Sequence, residues 1–439
     1  MAEVQKYALP SMADIARPKL EIVATCLLLF SFLVPPEASV NIGINWTMRK
    51  FALFFCLIAL VPLLAKKIND RRYVPVVADF FFLALAVWFM AAMAINTGME
   101  AISKASAIVG LEIAIPYFLA RSYCGEKGML YFVSRAFLVL LIALLIMGMF
   151  DIVAGKNIIS SVAADIFGTN RGVKFYGDDA IELSYTTQYR FGLPRVRGPL
   201  DHAILYGGFM AWMMTVMLYI SNDQKTKVAS FLLAGLGVFI ALSSAPILIM
   251  FVFVAIASFD ALFRNVRVRW TFLMVMIGVL SATYFLLVDD PVGTFIKFGT
   301  LDPATGYARL TIWEWVGKNL SASPWVGIGD KDWFRPTDLL SSIDSVWLSI
   351  SLKYGYVGLA IFIGCIVGCF FVATPRKLRV FPDKAWDRPN IGLNIFIFQF
   401  FVLSFTVHVW GASWSLAGFL FGMKAALTEA PYLPRVQAR

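Results

Sequence analysis

Long apolar runs of up to about twenty residues, separated by short polar segments, repeat along almost the whole chain. Twelve can be read, near 20–36, 51–65, 76–95, 105–121, 131–154, 200–220, 228–243, 245–263, 270–288, 346–373, 391–408 and 411–428. An α-helix needs about twenty apolar residues to cross the hydrocarbon core of a bilayer. A closed β-barrel would show short alternating segments instead, and none is evident. The pattern predicts an all-α polytopic membrane protein, one transmembrane domain over residues 1–439 with about twelve transmembrane helices. Two long polar stretches interrupt it, 155–199 and 289–345. The first apolar run, near Ile22 to Val34, follows a polar start without a clear small-residue cleavage site, so no cleavable signal peptide is expected.

Composition agrees: 59% of the 439 residues are hydrophobic and 15% charged, more apolar surface than a soluble fold of this length could hide. The net charge of +10 would fit a nucleic-acid partner, but in a membrane chain it reflects basic residues held on the cytoplasmic side, and no nucleic-acid partner is expected. Lys66, Lys67, Arg71, Arg72, Arg121, Lys127, Lys225, Lys227, Arg264, Arg267, Arg269, Arg376, Lys377, Arg379, Lys384 and Arg388 fall in short loops after even-numbered runs. Lys6, Arg17, Lys19, Lys424, Arg435 and Arg439 flank the ends. The other short loops hold only Arg49, Lys50 and Lys104. This asymmetry places both termini in the cytoplasm and the two long loops on the opposite face.

Cys26, Cys56, Cys365 and Cys369 lie in apolar runs and Cys124 in a short loop, so no disulfide framework is implied for the long loops. Glu112 sits in the middle of a run. It is either a proton or ion site or a carboxyl bonded to a neighbouring helix. Arg135 is close enough to a span end to snorkel. No internal repeat or matched pair of broken helices is visible, which argues against a secondary transporter.

The first long loop carries Asn170-Arg171-Gly172-Val173-Lys174, an acidic patch at Asp178, Asp179 and Glu182, and then Arg190, Arg195 and Arg197 before an apolar run. Guanidinium groups bind phosphate oxygens bidentately. Arginines at a span end also anchor to lipid headgroups, and this loop alone fits either role. The two histidines, His202 and His408, make no metal-ligand spacing. Walker, Rossmann and nucleophile-elbow motifs are absent.

In the second long loop, Tyr307, Leu310, Trp313, Val316 and Leu320 recur at helical spacing over about 305–320, which predicts a short interfacial helix. Arg309 and Trp313 are neighbours at i and i+4. The tryptophans from Trp313 to Trp347 suit either sugar stacking or an interfacial aromatic belt.

Three patterns resemble the O-antigen ligase and polymerase superfamily, multi-spanning bacterial enzymes acting on undecaprenyl-diphosphate-linked glycans. They are Arg195-Val196-Arg197-Gly198-Pro199-Leu200-Asp201-His202; then Arg309 and Trp313 with Pro324, Gly327 and Gly329; then Asp344-Ser345 followed after nine residues by Gly355 and Gly358. Two positions depart from the family pattern. Asp344 stands where the ligases have histidine. The segment Leu242-Ser243-Ser244-Ala245 lacks an arginine often found there.

The resemblance implies a metal- and cofactor-independent glycosyltransferase of the bacterial inner membrane with its active site facing the periplasm. It implies lipid-linked glycan donor and acceptor, membrane lipids and a chain-length regulator protein as partners. Asp344, Arg309 and His202 are then the catalytic candidates. Arg195, Arg197, Arg190 and Trp313 are the diphosphate and substrate candidates. The aspartate at 344 favours a repeat-unit polymerase over a ligase that transfers glycan to lipid A–core. A transporter or flippase for a lipid-linked or anionic solute is the reading of a different class.

Overall fold

Helices form wherever the apolar runs are, in a computed structural model that describes residues 20–41, 45–70, 73–100, 105–125, 127–167, 188–266, 268–299, 303–337, 339, 342–371 and 387–427. The order is α1 (Leu20–Ser31), β1 (Ser39–Asn41), β2 (Asn45–Thr47), α2 (Met48–Asn69), α3 (Val77–Thr97), α4 (Ala105–Tyr123), α5 (Lys127–Ala154) and α6 (Ile158–Phe167). Then come β3 (Tyr189–Arg190), β4 (Leu193–Pro194), α7 (Ala203–Ile220), α8 (Gln224–Ile240), α9 (Ser244–Leu262) and α10 (Arg269–Leu287). The chain continues with α11 (Pro291–Gly299), α12 (Pro303–Leu320), α13 (Val346–Phe371), α14 (Asp387–Leu403) and α15 (Ala412–Ala426). The strands form two small antiparallel hairpins.

Each of the twelve apolar runs contains a helix. Among the described residues, seven of these are long and apolar enough to cross a membrane: α2, α3, α5, α7, α9, α10 and α13. The long polar stretches hold the predicted helix α12 and two short helices that the hydropathy pattern does not reveal, α6 and α11. Arg171, Lys174, Asp178, Asp179 and Glu182 lie outside the described residues. So do Lys6, Arg17, Lys19, Arg71, Arg72, Lys104, Arg267, Arg376, Lys377, Arg379, Lys384, Arg435 and Arg439.

Helix α7 lies at the centre, with 89% of its apolar window buried, and α10 at the periphery, with 6%. Helix α15 packs on α4 through glycines one turn apart. A Cβ at Gly418 or Gly422 would come within 2.2 Å of the Ile113 carbonyl or 2.1 Å of the Tyr117 carbonyl. Without a side chain there, the two backbones meet, the means by which small residues hold helices together in lipid.

Two expected boundaries change. The run 391–408 is not one helix: α14 stops at Leu403 and residues 404–411 are non-helical. Their carbonyls are used by another element, since Val346 N–H donates to the Ser404 and Val407 carbonyls at 3.0 and 3.3 Å, and the Ser345 hydroxyl donates to the Ser404 carbonyl at 3.1 Å. His408, the last residue of that run, therefore sits in a helix break. The run 346–373 is likewise interrupted, at Gly355 (φ 71°, ψ −176°).

Charged side chains gather at the two ends of the bundle. At one end lie Arg121 with Asp79, Arg135 with Asp223, and Arg269 with Asp260. At the other, Arg197 pairs with Glu37, Gly198 N–H donates to Asp151, and Asn96 donates to the Val326 carbonyl. The functional candidates collect at this second end.

Candidate functional site

Helix α12 presents Arg309 because its other side is anchored. Ile312, Val316 and Leu320 are buried, and the first two cluster with Trp333, Ile343, Leu348 and Leu352. Of the expected apolar stripe, Val316 and Leu320 pack inside with Ile312, while Tyr307, Leu310 and Trp313 are 45%, 43% and 39% exposed. Arg309 points toward the chain segment just before α13. One of its terminal nitrogens lies 3.6 Å from the Asp344 carboxylate. The Asp344 side chain is 45% exposed and that of Arg309 19%. The buried Nε of Arg309 has no hydrogen-bond partner.

The glycines of the second and third motifs hold this geometry. The turn Pro324–Gly329 crosses the break in α13. Ile328 and Gly329 N–H groups donate to the Leu352 and Lys353 carbonyls, at 2.7 and 3.2 Å, and Tyr356 N–H donates to the Pro324 carbonyl at 2.7 Å. The backbones approach so closely that a Cβ at Gly355 would lie 2.1 Å from the Trp325 carbonyl oxygen, and one at Gly327 2.4 Å from that of Leu352. Both residues have positive φ, which only glycine adopts at little cost. The Trp88 indole of α3 donates to the Tyr354 carbonyl at 2.9 Å and braces the same break.

The first motif has a different character, since its arginines are unequally committed. Arg197 is buried against Glu37 at 2.9 Å and also donates to the Asp201 carbonyl at 3.1 Å. Arg190 donates to the Leu242 carbonyl at 3.0 Å, which brings a guanidinium to the segment that lacks its own arginine. Arg195 donates to the Gln188 side chain at 2.5 Å, while its Nε and second terminal nitrogen are buried without partners. Burial, with Arg190 alongside, pulls the Arg195 pKa down to about 10, and it stays charged at neutral pH.

His202 is the N-cap of α7, its Nδ1 accepting from Ile204 N–H at 3.1 Å. An accepting Nδ1 leaves the proton on Nε2, so the neutral ring offers a donor and no free lone pair. Burial pushes its pKa down to about 3, and the positive Arg195 and Arg197 push the same way.

The non-helical residues 404–411 lie between the two motif regions. The Trp410 ring is 5.4 Å from that of His408 and 6.2 Å from that of His202. Its neighbours Ser404 and Val407 hold Ser345 and Val346, next to Asp344. One link joins the Arg195–His202 loop to Arg309 and Asp344, and hydropathy reads it as span.

Beneath the loop lies a buried charge cluster that the sequence does not reveal as one. Glu112 pairs with Arg49 at 3.5 Å. A Cβ at Gly411 would meet the Asp201 carboxylate at 2.2 Å and an Arg49 nitrogen at 2.9 Å. Burial raises the Asp201 pKa to about 6 against the pull of Arg49. The sequence signals are single charges, Glu112 in the middle of a run and Arg49 and Asp201 near run ends. Among the described residues, no three His, Cys, Asp or Glu side chains are placed to hold a metal ion.

Residues 229–363 match the family model described as O-antigen ligase, which bears out the resemblance. The matched segment contains Arg309, Trp313, Asp344 and the motif glycines, and excludes Arg190 to His202. No curated protein matches the chain.

Proposed function

We propose, for a membrane chain that carries an O-antigen ligase domain, that it polymerises undecaprenyl-diphosphate-linked repeat units of a bacterial polysaccharide. The observation that carries the reading is the Arg309–Asp344 pair, a guanidinium suited to diphosphate beside a half-exposed carboxylate. The donor's diphosphate competes with Asp344 for Arg309, and Arg195, with two uncommitted nitrogens, supplies a second cation. Asp344, once released, accepts the proton of the acceptor sugar hydroxyl. The hydroxyl oxygen bonds to the donor's anomeric carbon as the bond from that carbon to the phosphate oxygen breaks. The electron pair leaves with undecaprenyl diphosphate, whose charge the two arginines stabilise.

A single displacement with no protein nucleophile inverts the anomeric centre. His202, with its accepting nitrogen already used, serves as a donor or as structure rather than as the base. Arg197 and Arg190 shape the loop, and Trp313 lies beside the substrate. The distribution of basic residues supports cytoplasmic termini and a periplasmic site in the inner membrane. A chain-length regulator fits as a partner of such a polymerase.

The test is incubation of the purified protein in lipid nanodiscs with lipid-linked repeats alone. A ladder of longer lipid-linked chains is expected. Transfer only after lipid A–core is added would make the protein a ligase. In proteoliposomes, movement of the lipid-linked repeat across the bilayer without covalent change would make it a transporter.

A further inference from the structure

A diphosphate held at Arg309 brings a polyprenyl chain with it, because the two are covalently joined. That chain has to leave the site over the protein surface next to the guanidinium and descend into the bilayer. The surface beside Arg309 has a distinct composition. Trp313, one turn along α12, stacks on Phe405 with ring centroids 6.2 Å apart and planes 15° from parallel. Phe405 meets Phe401 edge to face at 5.3 Å. Phe401 lies four residues earlier, in the last turn of α14, and so further from that end of the bundle.

Trp313, Phe401 and Phe405 are 39%, 40% and 41% exposed. From Pro389 to Gly411 every side chain except Phe401 and Phe405 is buried or half-buried. The pair stands out on an otherwise covered element. A buried ring backs both: Trp347, three residues after Asp344, lies 5.3 Å from Phe401 and 5.6 Å from Phe405, and is itself braced by Phe362 of α13.

We propose that Trp313, Phe405 and Phe401 form the seat of the donor's polyprenyl chain. The inference rests on the lipid-linked donor proposed above. The track starts one helical turn from the phosphate-binding cation and passes through the non-helical Phe405 to the last turn of α14, toward the bundle's apolar zone. Flat aromatic faces give large contact areas to methyl-branched isoprene units. A glycan is the wrong occupant, since Phe401 and Phe405 have no hydrogen-bonding group to orient hydroxyls, and sugar sites need such groups. The backing by Trp347 fixes the rings before the lipid arrives, which lowers the ordering cost of binding.

The experiment uses the full-length protein in phospholipid nanodiscs and a polyprenyl diphosphate carrying a diazirine near its diphosphate end, with no glycan. Labelling is expected in the peptide containing Phe401 and Phe405, competed by unlabelled polyprenyl diphosphate and not by excess phospholipid. The double variant F401A/F405A, with thermal unfolding unchanged, should weaken competition about tenfold, the equivalent of two aromatic contacts. Competed labelling confined to other peptides overturns the seat while leaving the proposed activity intact. Labelling of the Phe401–Phe405 peptide that resists competition means contact with bulk lipid and also overturns it. Absence of competed labelling anywhere in the protein removes both the seat and the lipid-linked donor.

Discussion

Arg309 on α12 and Asp344 just before α13 stand 3.6 Å apart, although 35 positions separate them in the sequence (344 − 309). Each holds the other in place, and a diphosphate that takes the arginine frees the carboxylate. Asp344→Asn keeps the shape and removes the base. Chain extension should fall by about 10²- to 10⁴-fold, the usual worth of general base catalysis. Arg309→Lys keeps the charge but loses the planar fork and should also be strongly impaired. Both variants should insert and unfold like the parent, as read by polymer ladders beside thermal melts. A normal ladder from Asp344→Asn would remove the carboxylate from the mechanism.

The crossing of the Pro324–Gly329 turn over the break in α13 depends on two glycines. Gly355→Ala would push a methyl group to 2.1 Å from the Trp325 carbonyl oxygen at a positive φ. A residue forced into such a backbone conformation costs about 1–3 kcal/mol before the clash is counted. The variant should melt clearly below the parent and lose activity with it. Gly278→Ala on α10, with open space around it and a helix-favouring side chain, is the control and should melt at or above the parent.

Glu112 is paired with Arg49 inside the bundle, so its expected role is structural. Glu112→Ala leaves the buried Arg49 guanidinium with the Asp201 carboxylate alone beside it and should cost up to about 3 kcal/mol, the lower end of the range for breaking a buried pair. The double change Glu112→Ala with Arg49→Met should recover part of that loss. Polymerisation by the parent protein in proteoliposomes should be indifferent to an imposed pH gradient. A gradient-dependent rate, abolished by Glu112→Gln, would restore a proton-site role.

Asp201 and His202 are adjacent and tilt the stability curve in opposite directions. The His202 pKa is lowered in the fold to about 3. Its stabilising contribution is complete above the unfolded value near 6.5 and declines as pH falls below it. The Asp201 pKa is raised to about 6. Its contribution is complete below the unfolded value near 3.9 and is lost as pH rises through 6. Between pH 6.5 and 4, His202→Asn, which retains a good N-cap, should therefore lose less stability on acidification than the parent. Asp201→Asn should lose more. Thermal melts across that range check both signs.

The sequence by itself determined the helices, because an apolar run long enough to span a bilayer is a local property. It also singled out Arg309 and Asp344, through a family pattern, and the glycines whose spacing marks the turn and the break. It could not show that Arg197 is spent on Glu37 while Arg195 keeps free nitrogens, since partners so far apart leave no local signature. Nor could it show that Arg49 and Glu112 neutralise each other, or that residues 404–411 leave the helix. Averaged hydropathy reports how apolar a segment is. It does not report which element satisfies that segment's carbonyls, and here Ser345 and Val346 bond to Ser404 and Val407. Only the tertiary structure decided those pairings, because hydrogen bonds and buried charges are satisfied by whatever lies nearest in space.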